Sequence, residues 1–276
     1  MHAKDSEKQA FPALLIGILM LISYALIYWL NPFSQSVNQF LLGSLTLAAS
    51  AFVSIFSTMI YRLHLPGDAP RPVWRNFAIG FWLWTIAEFF WLWHGLEIGR
   101  VSGTASGLTI SHLFWLTAYI FFSMALYRQH RIIASQGRAH GPWIVALIWA
   151  LVLIVTWITM ILMGEPKELL TFVQYFSGFA DLAIGIIGLT MLLAFSGGAM
   201  AWPWWGFVGL AISNILYEIL DATMMATVAP VAIEILELLS ELTYIGAYLA
   251  LAYGFYKYYL LLIYGPRIKI ASLEPK

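Results

Sequence analysis

Apolar residues in this chain fall into eight long runs, near 11–30, 39–61, 74–95, 110–127, 143–163, 169–195, 203–226 and 232–263. Each run is long enough to cross about 30 Å of hydrocarbon as a helix rising about 1.5 Å per residue. Turn formers separate them: Asn31-Pro32, Pro66-Gly67-Asp68, the stretch from Gly103 to Gly107, Gly141-Pro142, Gly164-Glu165-Pro166, Gly197-Gly198 and Ala229-Pro230. The pattern predicts an all-α, polytopic membrane bundle. The first run follows Lys4 and Lys8, as the core of a signal peptide would. It is longer than such cores, and Leu30-Asn31-Pro32 is a poor cleavage site, so a retained helix is expected.

Composition agrees with this reading. Of 276 residues, 61% are hydrophobic, 10% are charged and none is cysteine, and the mean hydropathy is +0.81. Soluble domains are nearer half apolar and a quarter charged. The lack of cysteine excludes disulfides, thiolate metal sites and cysteine nucleophiles.

Formal charge is balanced, but its distribution is not. With the N-terminus inside, the inner segments hold Lys4, Lys8, Arg62, Arg71, Arg75, Arg128, Arg131, Arg138, Lys257, Arg267, Lys269 and Lys276. The outer loops hold only Arg100 and Lys167. This positive-inside bias requires an even number of spans, with both termini cytoplasmic in a cell membrane. Tyr28, Trp29, Trp74, Trp93, Trp202, Trp204 and Trp205 fall at the proposed helix ends, where amphipathic rings favour the headgroup level.

The two halves of the chain resemble each other. Ser111, Leu113, Ala118 and Tyr119 align with Ser240, Leu242, Ala247 and Tyr248, and Trp115 faces Tyr244. Upstream, Trp74 matches Trp204, Glu88 matches Glu218, Gly43 matches Gly178, and Pro12 and Pro142 open the two units. The expected organisation is a first four-helix repeat over 1–140 and a second over 141–276, which ends in a short cytoplasmic tail. Copies with an even number of spans share one orientation and are related by an axis along the membrane normal.

Acids occupy the other side. Only Asp5, Glu7, Asp68 and Glu274 lie in the inner segments, whereas Glu88, Glu97, Glu165, Glu168, Asp181, Glu218, Asp221, Glu234, Glu237 and Glu241 lie within spans or outside. At helical periodicity, Asn214, Tyr217, Glu218 and Asp221 share one face, and Glu234, Glu237, Glu241, Tyr244 and Tyr248 another. Glu88 shares a face with Trp91, Ser111 with Trp115 and Tyr119, and His112 sits beside the latter. Asp181 lies amid Ser177, Gly178, Gly185 and Gly188, a small-residue face suited to close helix approach. A carboxylate facing lipid would cost several kcal/mol, so these acids should face the bundle interior. No Lys or Arg is available at their depth. Loop charge explains Glu97, Glu165 and Glu168 well enough, and the helix dipole explains Glu234 and Glu237.

No Walker loop, G-x-G-x-x-G, H-E-x-x-H or nucleophile elbow occurs, and no cofactor is implied. Nucleic acid is not an expected partner. The leading reading is a cation or amine-type ligand held in an acidic, aromatic-lined outer cavity by Glu88, Trp91, His112, Trp115, Asp181, Asn214, Glu218, Asp221, Glu241 and Tyr244, for sensing or transport. One alternative is a structural subunit assembling with partner membrane subunits or as a homo-oligomer. Another, weaker one is an enzyme whose metal is held by Glu88, Glu218, Glu241 and His112, with His94 nearby; the E-x-x-H spacing of helical carboxylate metal sites is missing.

The stretches Phe114-Trp115-Leu116-Thr117-Ala118-Tyr119 and Tyr244-Ile245-Gly246-Ala247-Tyr248 precede Tyr127-Arg128 and Tyr256-Lys257. They resemble helices in the multi-span membrane input regions of bacterial sensor kinases and diguanylate cyclases. That resemblance implies ligand sensing, and with no output domain expected after Tyr264, sensing through a partner.

Overall fold

The computed structural model describes residues 3–98, 109–135, 137, 141–162, 169–195, 201–224 and 230–264. Within these, the side chains of 3–7, Glu97, Ile98, Leu170, Gln174, Glu218, 221–224 and Pro230 lie outside the description. The described residues form helices α1 (Ala3–Leu30), α2 (Gln35–Leu63), α3 (Arg71–Ile98), α4 (Ile110–Ser135), α5 (Trp143–Leu162), α6 (Leu169–Phe195), α7 (Trp202–Met224) and α8 (Pro230–Tyr264). No strand occurs among them.

The breaks sit where the turn formers predict them. Asn31 takes a φ of +44°, a left-handed conformation that Asn tolerates better than most residues, and so stops α1 just before Pro32. The Asn38 side chain then donates to Asn31 Oδ1 and to the Phe33 carbonyl, which ties α2 back to that turn. Gly67, at φ +99°, turns the chain between α2 and α3, and Asp68 Oδ2 accepts the Leu65 N–H at 2.7 Å. The helices overrun the apolar runs most at α1, which already begins at Ala3, and at α4, which continues past Arg128 and Arg131 to Ser135.

Six of the helices, α1, α2, α4, α5, α6 and α8, are long and apolar enough to cross a membrane. Among the described residues, α3 falls short of that measure. It carries Trp74, Trp82, Trp84, Trp91, Trp93, Glu88 and His94. Indole, imidazole and carboxyl groups all lower mean hydropathy.

Within each half, consecutive helices pack side by side, from α1 to α4 and from α5 to α8. Between halves, α8 packs broadly on α1 and α2, and α4 more narrowly on α5 and α6. The close approaches need glycine. A Cβ on Gly206 would stand 2.8 Å from the Ala247 carbonyl oxygen, and one on Gly185 would stand 2.2 Å from Ala211 Cβ. Buried hydroxyls add links: Ser213 and Ser240 donate to each other's carbonyls at 2.9 and 3.1 Å between α7 and α8, and Ser54 bonds Thr85 at 2.8 Å between α2 and α3. Aromatic rings fill the centre, with Phe77, Phe81, Phe122, Phe207 and Phe255 all essentially inaccessible.

Candidate functional site

A cavity of about 540 Å³ opens at one end of the bundle. Among the described residues, its walls come from every helix except α5 and therefore from both halves. Tyr28 near the end of α1, Gln39 near the start of α2, Gly95 near the end of α3 and Glu237 near the start of α8 line its mouth. Trp84, Glu88, Tyr119, Asp181 and Tyr244 line its deeper part. One shared chamber therefore lies between the halves.

Three carboxyl groups define its chemistry. Glu88, in the middle of α3, is 6% exposed. Its Oε1 accepts hydrogen bonds from Trp84 Nε1 at 3.1 Å, Tyr244 OH at 2.5 Å and Tyr248 OH at 2.9 Å. Oε2 receives none of these three. Trp84 lies one helical turn before Glu88, and Tyr244 and Tyr248 lie one turn apart on α8, so two helix faces converge on a single oxygen. Tyr248 OH also lies 2.7 Å from Tyr244 OH.

Asp181, on α6, accepts from Tyr119 OH of α4 at 2.6 Å and from the Asn214 amide of α7. Glu241, on α8, accepts from Tyr24 OH of α1 at 2.7 Å and from Tyr217 OH of α7. Each acid is thus held by neutral donors from neighbouring helices. Hydrogen bonds of this kind offset the cost of removing a carboxylate from water, and they leave its charge without a counter-ion. Among the described residues, no Lys or Arg lines the cavity. Among the described residues, only His64 and Asp68, 3.7 Å apart in the turn between α2 and α3, bring a basic and an acidic side chain within ion-pairing distance.

The site residues inferred from the sequence divide into three groups. Glu88, Trp91, Trp115, Asp181, Asn214, Glu241 and Tyr244 come together around the one cavity. His112 stands behind the wall, edge-on to Trp91 and Trp115 with ring centroids at 6.5 and 5.7 Å. Its Nδ1 bonds the Thr109 hydroxyl at 2.8 Å and accepts the Thr109 N–H at 3.1 Å, which fastens the start of α4. The side chains of Glu218 and Asp221 lie outside the described residues. Glu237, assigned from the sequence to a helix-dipole role, also lines the mouth.

Sequence reasoning did not single out Trp84 or Tyr24. Trp84 was legible, one turn from Glu88 on the same face. Tyr24 was not, because only the packing of α1 on α8 brings it to Glu241. Among the described residues, no three His, Asp or Glu side chains are grouped so as to hold a metal ion. No family model matches the chain, and neither a curated protein nor a solved structure matches it.

Proposed function

We propose that the chain crosses a cell membrane eight times, as two tandem four-helix repeats with both termini cytoplasmic, and binds a small cation or amine-type ligand in the shared cavity. The observation that carries the binding reading is the composition of that chamber. Among the described residues, Glu88, Asp181 and Glu241 each accept hydrogen bonds only from phenol, indole or amide groups, and no basic side chain lines the walls. Their negative charge therefore favours a positive guest, and the faces of Trp84, Trp91, Trp115 and Tyr244 add cation–π attraction of about 0.5–2 kcal/mol per well-placed ring. A volume of about 540 Å³ suits an organic cation better than a bare metal ion.

The packing supports the repeat. The helix neighbours correspond, with α8 on α1 and α2 as α4 is on α5 and α6.

Thermal unfolding of the purified protein tests the binding reading, with choline and tetramethylammonium as probes and 3,3-dimethylbutanol as the neutral isostere of choline. At a hundredfold excess over Kd, a ligand stabilises the fold by about 2.7 kcal/mol. The expected result is stabilisation by the two cations, none by the alcohol, and loss of the response in Glu88→Gln and Glu241→Gln. An equal response in both variants would refute this role for the carboxyl groups.

A further inference from the structure

We propose that the cavity is the outer half of a transport path, closed here by a plug of phenylalanine rings and opened to the other face by movement of one half against the other. The inference rests on the binding reading above and assigns that site an activity, the transfer of an organic cation between the two faces.

The first observation is a second cavity of about 70 Å³ on the opposite side of the aromatic core. Trp74, Phe77, Gln129, Trp204, Phe255 and Tyr258 line it, so it lies among α3, α4, α7 and α8, the third and fourth helices of the two halves. A continuous column of rings joins the two chambers. Trp84, in the wall of the outer cavity, packs on Phe122 at 5.6 Å between centroids. Phe122 meets Phe81 at 4.7 Å and Phe207 at 6.2 Å. Phe81 meets Phe255 at 5.6 Å, and Phe77 meets Phe207 at 5.8 Å. Phe77 and Phe255 then form part of the inner wall.

The plug lies on the seam between halves. Phe77 and Phe207 correspond in the same register that aligns Trp74 with Trp204 and Glu88 with Glu218, and they touch. Residues related by a twofold axis meet only near that axis. A dry constriction of packed rings blocks a hydrated cation, and parallel repeats flanking a central site can rock to expose it alternately. The seam is also unequal. α8 is packed broadly against α1 and α2, whereas α4 meets α5 and α6 narrowly, with polar links from Tyr119 to Asp181 at 2.6 Å and from His130 to Thr190 at 3.1 Å. The α4–α6 side is the one that parts.

Glu88 is placed to act in such a cycle. It lies one helical turn from Trp84, at the floor of the outer chamber, and its three donors converge on Oε1. That arrangement orients the carboxylate and leaves Oε2 for the guest directly above the plug.

Because the chain contains no cysteine, single introduced thiols report which face reaches the cavity. Thr46 lines the outer chamber and is 8% exposed, and Ser135, at the end of α4, marks the opposite face. In sealed vesicles, the membrane-impermeant cation 2-(trimethylammonium)ethyl methanethiosulfonate is added to one side at a time. Thr46→Cys is expected to react from both faces and Ser135→Cys from one. Shortening a plug ring in Phe81→Ala, or in the milder Phe81→Leu, should speed inner-face modification of Thr46→Cys about tenfold. Reaction from the outer face alone, in all backgrounds, would overturn transport and leave a one-sided binding pocket. Lack of reaction from either face would instead remove the binding reading itself. An unchanged inner rate in both Phe81 variants would overturn the plug as the gate.

Discussion

Tyr248 provides the most direct measure of how the buried carboxyl group is held. It is 1% exposed, and its hydroxyl donates to Glu88 Oε1 at 2.9 Å or to Tyr244 OH at 2.7 Å. Tyr248→Phe removes that hydroxyl and keeps the ring, which packs edge-on against Tyr244 at 4.9 Å. A hydrogen bond to a charged acceptor is worth about 1.5–3 kcal/mol in soluble proteins, whereas side-chain hydrogen bonds between membrane helices average about 0.6 and reach about 1.7 kcal/mol. Because Trp84 and Tyr244 still donate to Oε1, the loss should be about 1 kcal/mol, or about 2 °C in Tm for a chain of this size. The partner is identified by a double-mutant cycle in lipid nanodiscs with Glu88→Met, which removes the acceptor at similar volume. In that background the effect of Tyr248→Phe should shrink, giving a coupling of about 0.5–1 kcal/mol. Equal losses in both backgrounds would show that the phenol does not donate to Glu88.

Other outcomes follow from the packing and topology. Gly206→Ala should destabilise by about 1–3 kcal/mol, since its Cβ would meet the Ala247 carbonyl and the Leu251 N–H at 2.8 and 2.9 Å, whereas Gly95→Ala meets nothing within 4 Å and should be neutral or slightly stabilising; thermal unfolding of both separates backbone crowding from helix propensity. If α3 crosses the membrane, Ala69→Cys and Gly95→Cys, which flank or end it, should react with an impermeant thiol reagent from opposite faces, and reaction from the same face would remove α3 as a span. Burial pushes the His64 imidazole below its ordinary value of 6.5, and nearby Asp68 opposes that shift only in part. The folded state therefore favours neutral His64, so its stability contribution is intact above that ordinary value and declines as the pH falls through it. His64→Asn should flatten that segment of a Tm–pH profile, and an unchanged slope would show that His64 does not contribute.

Much of the architecture was legible because one physical demand dominates a membrane chain. Backbone groups without water must bond within a helix, so apolar runs and their Gly, Pro and Asn breaks locate the elements closely, as at Asn31, Gly67 and Pro142. Polar extensions such as the last turns of α4 were not legible, because a helix does not end where its hydropathy does. The acids could be assigned to the interior by cost alone, and Glu88, Asp181 and Glu241 do line one chamber. Their partners could not. Helical phase shows which residues share a face, but it does not show that α1 lies against α8, which is what brings Tyr24 to Glu241. His112 was read as part of the site because it shares a helix turn with Trp115, and the Thr109 hydroxyl and N–H instead hold it at the start of its helix.

The low hydropathy of α3 also bears on how the chain enters a membrane. A segment this rich in indole, imidazole and carboxyl groups gains too little from lipid to partition alone, and its entry becomes favourable only with apolar neighbours already in place. α3 packs between α2 and α4. Insertion should therefore be cooperative, α3 entering with its flanking helices, and a chain cut after Ile98 should leave α3 outside the bilayer.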